Sequence, residues 1–404
     1  MDNLYYLLQK SSSNSNKNLE ILGQFFSKDE RKILSKRSVS IVGTNGKTTT
    51  ATVLNEILFR SGLKTTLFTS PHLVTLNERI QVNQDQIEDT DLDKGMQKIR
   101  NFEETNNIVL GYFESIFLIA ARYFLDENLD IFIAEAGIGG RLDTTSLLNS
   151  KTVCLTNIGL DHTELLGSTI QEILTEKIHV SNNVKNFING SKDIHNEYES
   201  TIKDSLQITD GNYFLGYQVD KSQNSININK NNFLKSNQNI AIKTSKVIIH
   251  NLAKIEQLKE TSELLDSIHL IIPKGRFQVI QQPPNLKVID GAHNASGVEA
   301  FFNLLEETYN IDKINNLDCY IGFNKNKDFI SMLKIICLKK YLHIRVLEDN
   351  CFFKQLTSAT LEQFLISNKI NYKISTLEEF HLSKKPSILL GSLYLIGEYI
   401  KEYK

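Results

Sequence analysis

This chain of 404 residues has few cysteines, a net charge close to zero and no long apolar run. Each of these features argues against a class of protein. The four cysteines lie far apart and form no C-x-x-C pair, which argues against a zinc site or a disulfide framework. The formal net charge of −2 provides no basic field that would attract nucleic acid or an anionic membrane. No apolar run approaches the roughly 20 residues of a membrane-spanning helix, and no secretory signal is recognisable. We therefore expect a cytoplasmic protein that binds neither nucleic acid nor membrane.

Proline is also rare, and its distribution suggests where the chain divides. Three of the five prolines, Pro273, Pro283 and Pro284, occur close together. A chain of this length exceeds what one compact hydrophobic core normally holds. We therefore predict two domains, residues 1–280 and residues 285–404, with the boundary in this proline-containing segment.

The segment 43–48, Gly-Thr-Asn-Gly-Lys-Thr, predicts a phosphate-binding loop. It follows the apolar run 39–42 and opens the segment 47–60, whose apolar side chains recur at helical spacing. Glycines without a Cβ let backbone N–H groups approach a phosphate, and the N-terminus of the next helix favours anions. Lys47 would reach the outer phosphates, and the Thr48 hydroxyl would bind Mg²⁺. An ordinary glycine turn is the alternative, which the flanking strand and helix disfavour. The predicted nucleotide ligands of this loop are Thr44, Asn45, Gly46, Lys47 and Thr48.

Predicted strands alternate with helices along the chain, which indicates an α/β fold. We expect a doubly wound, mostly parallel sheet in the first domain and a smaller Rossmann-like α/β unit in the second. Four polar residues each come just after a predicted strand, at the edge where ligands bind in open parallel sheets. Oxygen ligands and a histidine beside a phosphate-binding loop suit a Mg²⁺–ATP site. The predicted metal ligands are Thr48, Ser70, Glu135 and His162.

Five further segments resemble one enzyme family. They are 69–73 with 77–80 (Thr-Ser-Pro-His-Leu and Asn-Glu-Arg-Ile), 135–143 (Glu-Ala-Gly-Ile-Gly-Gly-Arg-Leu-Asp), 158–163 (Ile-Gly-Leu-Asp-His-Thr), 290–294 (Asp-Gly-Ala-His-Asn) and 391–395 (Gly-Ser-Leu-Tyr-Leu). Together with residues 43–48, these segments resemble the folylpolyglutamate synthases of the Mur ligase superfamily, which in bacteria often also act as dihydrofolate synthases. The matches occur in family order from residue 43 to about residue 398, so they cover nearly the whole chain.

The resemblance implies an ATP- and Mg²⁺-dependent ligase. In that family ATP phosphorylates a substrate carboxylate, and the amine of L-glutamate attacks the resulting acyl phosphate to form an amide. The implied substrates are dihydropteroate or a folate that carries one or more glutamates, together with L-glutamate and ATP. The resemblance also implies a monomer. Such a reaction depends on positioning and charge neutralisation more than on covalent help from the protein.

The resemblance also assigns roles to residues outside the phosphate-binding loop. Lys177 corresponds to a lysine that is carbamylated in the family, which would replace a cation by an anion able to reach Mg²⁺. The alternative is a solvated lysine on a helix. The family's Glu-Lys-Ala-Gly reads Glu-Lys-Ile-His here, at 176–179. The implied catalytic residues are Lys47, Lys177 and His293, and the implied further ATP ligands are Asn239, Arg276 and Asp290.

The implied substrate-binding residues are Phe113, Asp143 and Thr144, and in their surroundings the sequence departs from the family. The family's Arg-Leu-Asp-Ala-Thr-Asn reads Arg-Leu-Asp-Thr-Thr-Ser here, at 141–146, and Gly-Tyr precedes Phe113. Both segments hold the pterin-bearing substrate in the family. These departures leave open whether the dihydrofolate synthase activity is retained.

Two other functions remain alternatives. The first is another Mur-type ligase that attaches an amino acid to a UDP-linked cell-wall sugar; the phosphate-binding loop begins only at residue 43, which leaves no obvious N-terminal UDP-binding domain. The second is a nucleotide-dependent switch without ligase activity. Such GTPases need an Asn-Lys-x-Asp motif, and the nearest match here, at 324–327, reads Asn-Lys-Asn-Lys.

Overall fold

The computed structural model describes residues 6–7, 10, 18–218, 233–251, 271–310 and 316–403. Internal contacts divide this part of the chain into two compact units. Among the described residues, unit 1 holds those up to Pro71, those from Leu76 to Gln218 and those from Leu234 to Ile271. Unit 2 holds His72–Thr75, Phe233 and the described residues from Ile272 onward. The predicted domain ranges 1–280 and 285–404 place the boundary somewhat later in the chain, and they stay a prediction.

Unit 1 is built on an eight-stranded sheet with the strand order β4-β3-β2-β5-β1-β6-β7-β8. The strands β2, β5, β1, β6, β7 and β8 run parallel, and β3 and β4 add an antiparallel edge. The strand bounds are β1 Ser38–Val42, β2 Thr65–Phe68, β3 Ile80–Val82, β4 Asp85–Gln86, β5 Ile131–Glu135, β6 Thr152–Leu155, β7 Asn186–Asn189 and β8 Tyr213–Leu215.

Unit 1 also contains helices. Their bounds are α1 Leu19–Gly23, α2 Lys28–Lys36, α3 Lys47–Arg60, α4 Asp89–Asn106, α5 Tyr112–Asp126, α6 Thr163–Leu166, α7 Ile170–Ile178, α8 Lys192–Leu206 and α9 Phe233–Asn251. Helices α1 and α2 precede β1, α3 to α8 lie between strands, as crossover connections require, and α9 follows β8. Several of these helices begin with an N-cap side chain that accepts a backbone N–H group. Thr169, for example, forms a capping box with Glu172 at the start of α7, which satisfies backbone N–H groups that the helix leaves unpaired.

The central strands of unit 1 are buried on both faces, which is why they read as continuous apolar runs. In β5, Ile131 and Ile133 pack into one cluster with Val53 of α3. The alternate residue Phe132 packs into another cluster, where Phe117 of α5 stacks on it with the ring centroids 6.1 Å apart. Helices therefore cover both sides of the sheet.

The strand order explains which loops meet in unit 1. Strand β1 lies between β5 and β6, with Ile41 opposite Glu135 and Val42 opposite Leu155. Within the sheet, β2 and β5 lie on one side of β1, and β6 lies on its other side. The carboxyl end of β1 is therefore a switch point, where the loops after neighbouring strands separate and leave a crevice for a ligand.

Unit 2 contains a six-stranded sheet with the order β13-β12-β11-β14-β10-β9, parallel except for the edge strand β9. Its strands are β9 Gln278–Gln281, β10 Lys287–Asp290, β11 Leu317–Ile321, β12 Leu342–Leu347, β13 Tyr372–Ser375 and β14 Ser387–Leu390. Its helices are α10 Ala295–Thr308, α11 Phe329–Leu338, α12 Ser358–Ser367, α13 Leu377–Leu382 and α14 Leu393–Tyr403.

The predicted fold class is confirmed: both units are α/β with mostly parallel sheets. The antiparallel edge strands β3, β4 and β9 were not predicted, since they are short and carry no long apolar run. Glu135 and Asp290 are the last residues of their strands rather than the residues that follow them. No helix in the described part of the chain is long and apolar enough to cross a membrane.

Candidate active site

The loop after β1 depends on two glycines that have no room for a side chain. Gly43 has φ +147°, and a Cβ there would overlap the Thr156 hydroxyl. Gly46 has φ +83°, and a Cβ there would overlap the side-chain amide of Asn237. Gly46 is also the N-cap of α3, so the loop leads directly into a helix N-terminus. This is the backbone geometry that a bound phosphate needs.

The loop after β6 holds the phosphate-binding loop in place. The backbone N–H of Thr44 donates to the carbonyl of Asn157 at 2.9 Å, and the N–H of Asn45 donates to the Asn157 side-chain oxygen at 2.8 Å. The Thr44 hydroxyl also exchanges hydrogen bonds with the backbone of Gly159. Loop 43–48 is therefore fixed by its neighbour in the sheet, which is the kind of preorganisation that a binding site requires.

Lys47 folds back over the loop that precedes it. Its ammonium donates to the carbonyls of Gly43 at 2.9 Å and Thr44 at 3.1 Å. The predicted cation thus lies against two carbonyl oxygens of the phosphate-binding loop. Its contact with a phosphate stays a prediction.

Three of the four predicted metal ligands come together at the carboxyl ends of adjacent strands. The Thr48 hydroxyl lies 3.0 Å from each carboxylate oxygen of Glu135, and the backbone N–H of Ser70 lies 3.3 Å from one of them. They meet because β1, β5 and β2 are neighbours in the sheet.

The donor set of this cluster suits Mg²⁺, which is usually held by one or two carboxylates together with substrate phosphates and water. Glu135 is 2% exposed. Among the described residues, no group of three or more His, Cys, Asp and Glu side chains could hold a metal ion by itself. A single carboxylate with a threonine hydroxyl beside a phosphate-binding loop therefore fits an ion that is completed by the nucleotide.

His162 lies in the loop on the other side of β1, at the start of α6. Its backbone is left-handed, with φ +50°, and its N–H donates to Asp161 Oδ1 at 3.0 Å. The ring nitrogens lie 3.9 Å from Asp161 Oδ1 and 3.7 Å from Glu164 Oε1. The carboxylates of Asp161 and Glu164, its near neighbours in the chain, therefore lie close to the His162 ring, and its role as a metal ligand stays a prediction.

Lys177 is buried at the end of α7, with its side chain 5% exposed. Its ammonium donates to the carbonyl of Gly43 at 2.9 Å, the same oxygen that Lys47 contacts. Burial lowers the pKa of Lys177 to about 7, and the positive charge of Lys47 adds to this effect. Asp161 acts in the opposite direction. The alternative of a solvated lysine on a helix is therefore wrong, because this amine lies at the phosphate-binding loop and titrates near neutral pH.

The predicted substrate-binding residues Phe113 and Asp143 meet at Gly137. Asp143 Oδ2 accepts the N–H groups of Gly137 and Ile138 at 3.1 and 3.2 Å, which shapes the loop after β5. A Cβ at Gly137 would lie 2.9 Å from the tip of the Phe113 ring. Thr144 is fully buried in the short helix that follows Asp143. Phe113 and Asp143 thus pack against the loop that follows Glu135 and form one wall there, in which Asp143 and Thr144 are buried (3% and 0% exposed) and Phe113 is half-buried. Their contact with a substrate stays a prediction.

In unit 2, the three predicted residues Arg276, Asp290 and His293 gather around one turn. Asp290 accepts the N–H groups of Phe277 and Ala292, each at 2.6 Å. Burial raises the pKa of Asp290 above its ordinary value, and the positive charge of Arg276 offsets part of this rise. His293 Nδ1 lies 2.9 Å from the carbonyl of Gly291; a carbonyl can only accept, so this contact requires the proton on Nδ1. Asp290 therefore organises this turn, and the nucleotide contacts of all three residues stay predictions.

Sequence reasoning missed Asn237, which the structure places beside the phosphate-binding loop. Its side chain is 2% exposed, its oxygen lies 3.5 Å from the Thr50 hydroxyl, and its side-chain nitrogen is buried without a hydrogen-bond partner among the described residues. The predicted ligand Asn239 is half-buried two residues further along α9, and its role stays a prediction. Helical periodicity could have selected Asn237, because it shares a buried face with Ala241, Thr244 and Ile248.

Comparison with known proteins agrees with this geometry. The profile of the Mur ligase middle domain matches residues 41–256, more than half of the chain. The dihydrofolate synthase/folylpolyglutamate synthase of Buchnera aphidicola subsp. Schizaphis graminum is 30% identical over 374 residues, covering 89% of this chain and 87% of that protein. The Escherichia coli K12 protein of the same name is 29% identical over 311 residues, covering 73% and 69%.

Solved structures show the same fold. The bifunctional folylpolyglutamate synthase/dihydrofolate synthase of Yersinia pestis, complexed with AMPPNP and Mn ion, aligns with a TM-score of 0.78 at 23% identity, covering 98% of this chain and 96% of that one. The E. coli FolC protein in complex with DHPP and ADP aligns with a TM-score of 0.77 at 24% identity and the same coverage.

A phosphate-binding loop at the switch point of a parallel sheet, together with the middle-domain profile, defines the class as the Mur ligases. Within that class, the chain belongs to the dihydrofolate synthase/folylpolyglutamate synthase family. The resemblance stated from the motifs is confirmed.

Replacing Lys177 should change stability in a pH-dependent way. With a folded-state pKa of about 7, Lys177 is neutral in the folded protein between pH 7 and the ordinary lysine pKa near 10.4, whereas the unfolded chain is protonated there. Because the unfolded state binds the extra proton, the free energy of unfolding rises with pH in this window, by at most about 1.4 kcal/mol per pH unit. Lys177→Met should therefore stabilise the protein most below pH 7, and this advantage should shrink toward pH 10.

Urea denaturation in carbon dioxide-free buffer measures this difference across the pH range. Lys192→Met, which replaces an exposed lysine at the start of α8, is the matched control and should show no such trend. A difference between Lys177→Met and wild type that stays constant with pH would contradict the lowered pKa.

Proposed function

We propose that this chain is an ATP- and Mg²⁺-dependent ligase that joins L-glutamate to a pterin-bearing acid through an acyl phosphate. The acid is dihydropteroate or the terminal glutamate of a folate. Family membership makes the chain an acid–amino-acid ligase, as the motifs predicted. The single observation that carries the proposal is the contact between the Thr48 hydroxyl and the buried Glu135 carboxylate at the mouth of the phosphate-binding loop.

In this mechanism the chain's own residues position and neutralise charge. The N–H groups of loop 43–48 and the N-terminus of α3 bind the nucleotide phosphates. Lys47 supplies a cation at the outer phosphates as negative charge develops during transfer. Thr48 and Glu135 would hold Mg²⁺, which would supply positive charge to the transferred phosphoryl group. The wall formed by Phe113 and Asp143 orients the acid so that its carboxylate faces that group.

Lys177 has the properties that carbamylation requires. A neutral amine is the nucleophile for carbon dioxide, and a pKa of about 7 leaves a large neutral fraction at physiological pH. The neutral amine nitrogen bonds to the carbon of carbon dioxide and releases one proton to solvent, so the side chain changes from a neutral amine to an anion. The new charge then faces Lys47 with the opposite sign, which replaces a repulsion by an attraction.

We propose that both activities are present, because the relatives that cover most of the chain carry both in their names. The replacements at Thr144 and Ser146 lie in a short helix whose first residue is fully buried, so they can alter packing without removing Asp143 from its loop. The enzyme acts on small molecules as a cytoplasmic monomer; the four free cysteines and the near-neutral charge support this location.

The deciding experiment measures ATP- and Mg²⁺-dependent phosphate release with L-glutamate, in parallel with dihydropteroate and with tetrahydrofolate. We expect activity with both acids. Lys47→Ala should reduce it by roughly 100-fold or more, because the phosphates lose their cation. Lys32→Ala, at an exposed lysine of α2, is the control and should match wild type.

Activity with tetrahydrofolate alone would limit the function to folylpolyglutamate synthesis. Activity with neither acid, together with turnover of a UDP-linked cell-wall precursor, would favour the other kind of Mur ligase. Near-normal turnover by Lys47→Ala would contradict the assignment of the phosphate-binding loop.

Glu135→Gln should raise the Mg²⁺ concentration that half-maximal activity requires, by roughly tenfold or more, because a neutral amide replaces the carboxylate that contacts Thr48. A titration of activity against Mg²⁺ at saturating ATP measures the change. Glu127→Gln, at an exposed residue just after α5, is the matched control. An unchanged Mg²⁺ titration for Glu135→Gln would remove this residue from the metal site.

Carbamylation of Lys177 should be visible directly. In ¹³C-bicarbonate, wild type should show one carbamate resonance that is absent from Lys177→Ala, and its intensity should rise as pH increases through about 7 because more of the amine becomes neutral. Lys177→Ala should lose activity that short carboxylic acids partly restore. A fully active Lys177→Ala variant, or a wild type without the resonance, would exclude a carbamate at this site.

A further inference from the structure

The strongest feature outside the described site is a buried ion pair between Lys10 and Glu103. Their side chains are only 3% and 5% exposed. Removing two charges from water is costly, and the attraction between them offsets that cost only when further hydrogen bonds complete the pair. The sequence suggested no role for either residue, since no motif includes them.

The hydrogen bonds that complete this pair converge on one backbone position. The Glu103 carboxylate accepts the Tyr6 hydroxyl at 2.7 Å and the backbone N–H of Leu110 at 2.6 Å. The Lys10 ammonium donates to the carbonyl of the same Leu110 at 3.1 Å. The guanidinium of Arg100 lies 4.5 Å from the centre of the Tyr6 ring, which holds the ring in place. Both backbone polar groups of Leu110 are therefore bound by the two members of the ion pair.

Leu110 comes just before Gly111, the N-cap of the helix that carries Phe113. Gly111 is the N-cap of α5, and its carbonyl accepts both the N–H and the hydroxyl of Ser115, at 3.0 and 2.9 Å. Phe113 lies in the first turn, with its ring 5.5 Å from that of Phe68 and its tip against Gly137. The position of Leu110 thus sets where α5 begins and where the Phe113 ring lies in the wall near Glu135.

Attachment of the N-terminal residues does not by itself explain a buried ion pair. Leu7 is already fully buried in the same apolar cluster as Phe117 and Phe124, so apolar burial anchors this segment. An apolar pair in place of Lys10 and Glu103 would stabilise the fold at least as well. The charged pair instead fixes the position of the Leu110 backbone, because hydrogen bonds are directional and apolar contacts are not.

We propose that Lys10 and Glu103 are positioning residues for the acid substrate: by binding both backbone groups of Leu110, they hold the start of α5 and the Phe113 ring in the substrate-binding wall. The ligand they serve is the aromatic, pterin-bearing acid rather than ATP or L-glutamate. This inference rests on the proposed function, which assigns that wall to the acid.

The test uses Glu103→Gln, Lys10→Met and the double variant in the full-length enzyme. We expect the KM for dihydropteroate, or for tetrahydrofolate if that is the acid used, to rise roughly tenfold in each single variant, because a small displacement of a positioning group weakens binding strongly. The KM values for ATP and L-glutamate should stay within about twofold of wild type. The double variant should show less than the sum of the two single effects, since both residues act on one position.

Two further variants control for folding and for charge. Tyr6→Phe removes only one hydrogen bond to Glu103, so it should fold and raise the same KM by a smaller factor. Lys98→Met replaces a lysine of α4, the helix that carries Glu103, and breaks its exposed ion pair with Asp126 at the end of α5. Because exposed ion pairs contribute little, this variant should leave all three KM values unchanged. Direct titration of the acid by its pterin fluorescence, without ATP, gives the dissociation constant independently of turnover.

The outcomes separate this inference from the proposed function. A wild type that turns over neither acid contradicts the proposed function and this inference with it. An active wild type whose Glu103→Gln and Tyr6→Phe variants keep the normal KM and dissociation constant for the acid contradicts the inference alone. If these variants raised all three KM values equally, or lowered the melting temperature without changing acid binding, the ion pair would be only structural.

Discussion

The close approach of the loop 43–48 to its neighbours is the constraint on which the rest of the site depends. Gly43 packs against Thr156 and Gly46 packs against Asn237, with no space for a Cβ at either position. Two different elements, the loop after β6 and the helix α9, therefore define the shape of the phosphate-binding loop. The protein's own contacts therefore hold its backbone N–H groups and the start of α3 in position, and such positioning is the main requirement for phosphoryl transfer.

The carbonyl of Gly43 brings two lysine side chains of the site close together. Both Lys47 and Lys177 donate to it, at 2.9 Å each, so two amines share one acceptor in a buried site. Burial and the charge of Lys47 make the protonated form of Lys177 unfavourable, which is why its pKa lies near 7. Conversion of Lys177 into an anion would remove the repulsion. The same geometry that lowers the pKa thus favours the modification that the family resemblance implied.

Buried charged side chains in unit 1 bind backbone N–H and carbonyl groups and so fix the shape of two loops. Asp143 binds the N–H groups after β5, and Glu103 with Lys10 binds both polar groups of Leu110. Each of these groups is enclosed and hydrogen-bonded, which is the condition under which burying a charge is tolerated. Together they shape the two segments that bring Gly137 and Phe113 into contact.

Local signals in the sequence determined the phosphate-binding loop, the helix 47–60 and the strand ends that carry Glu135 and Asp290, because glycine spacing and apolar periodicity depend only on neighbouring residues. The tertiary structure alone decided which loops meet. Strand order brings Thr48, Ser70 and Glu135 together and sets His162 on the opposite side of β1. It also decided that Asn237 packs against Gly46, that Lys177 is buried and that Lys10 pairs with Glu103. These pairs are separated by 93 or more residues, and no local pattern encodes a contact between side chains so distant in sequence.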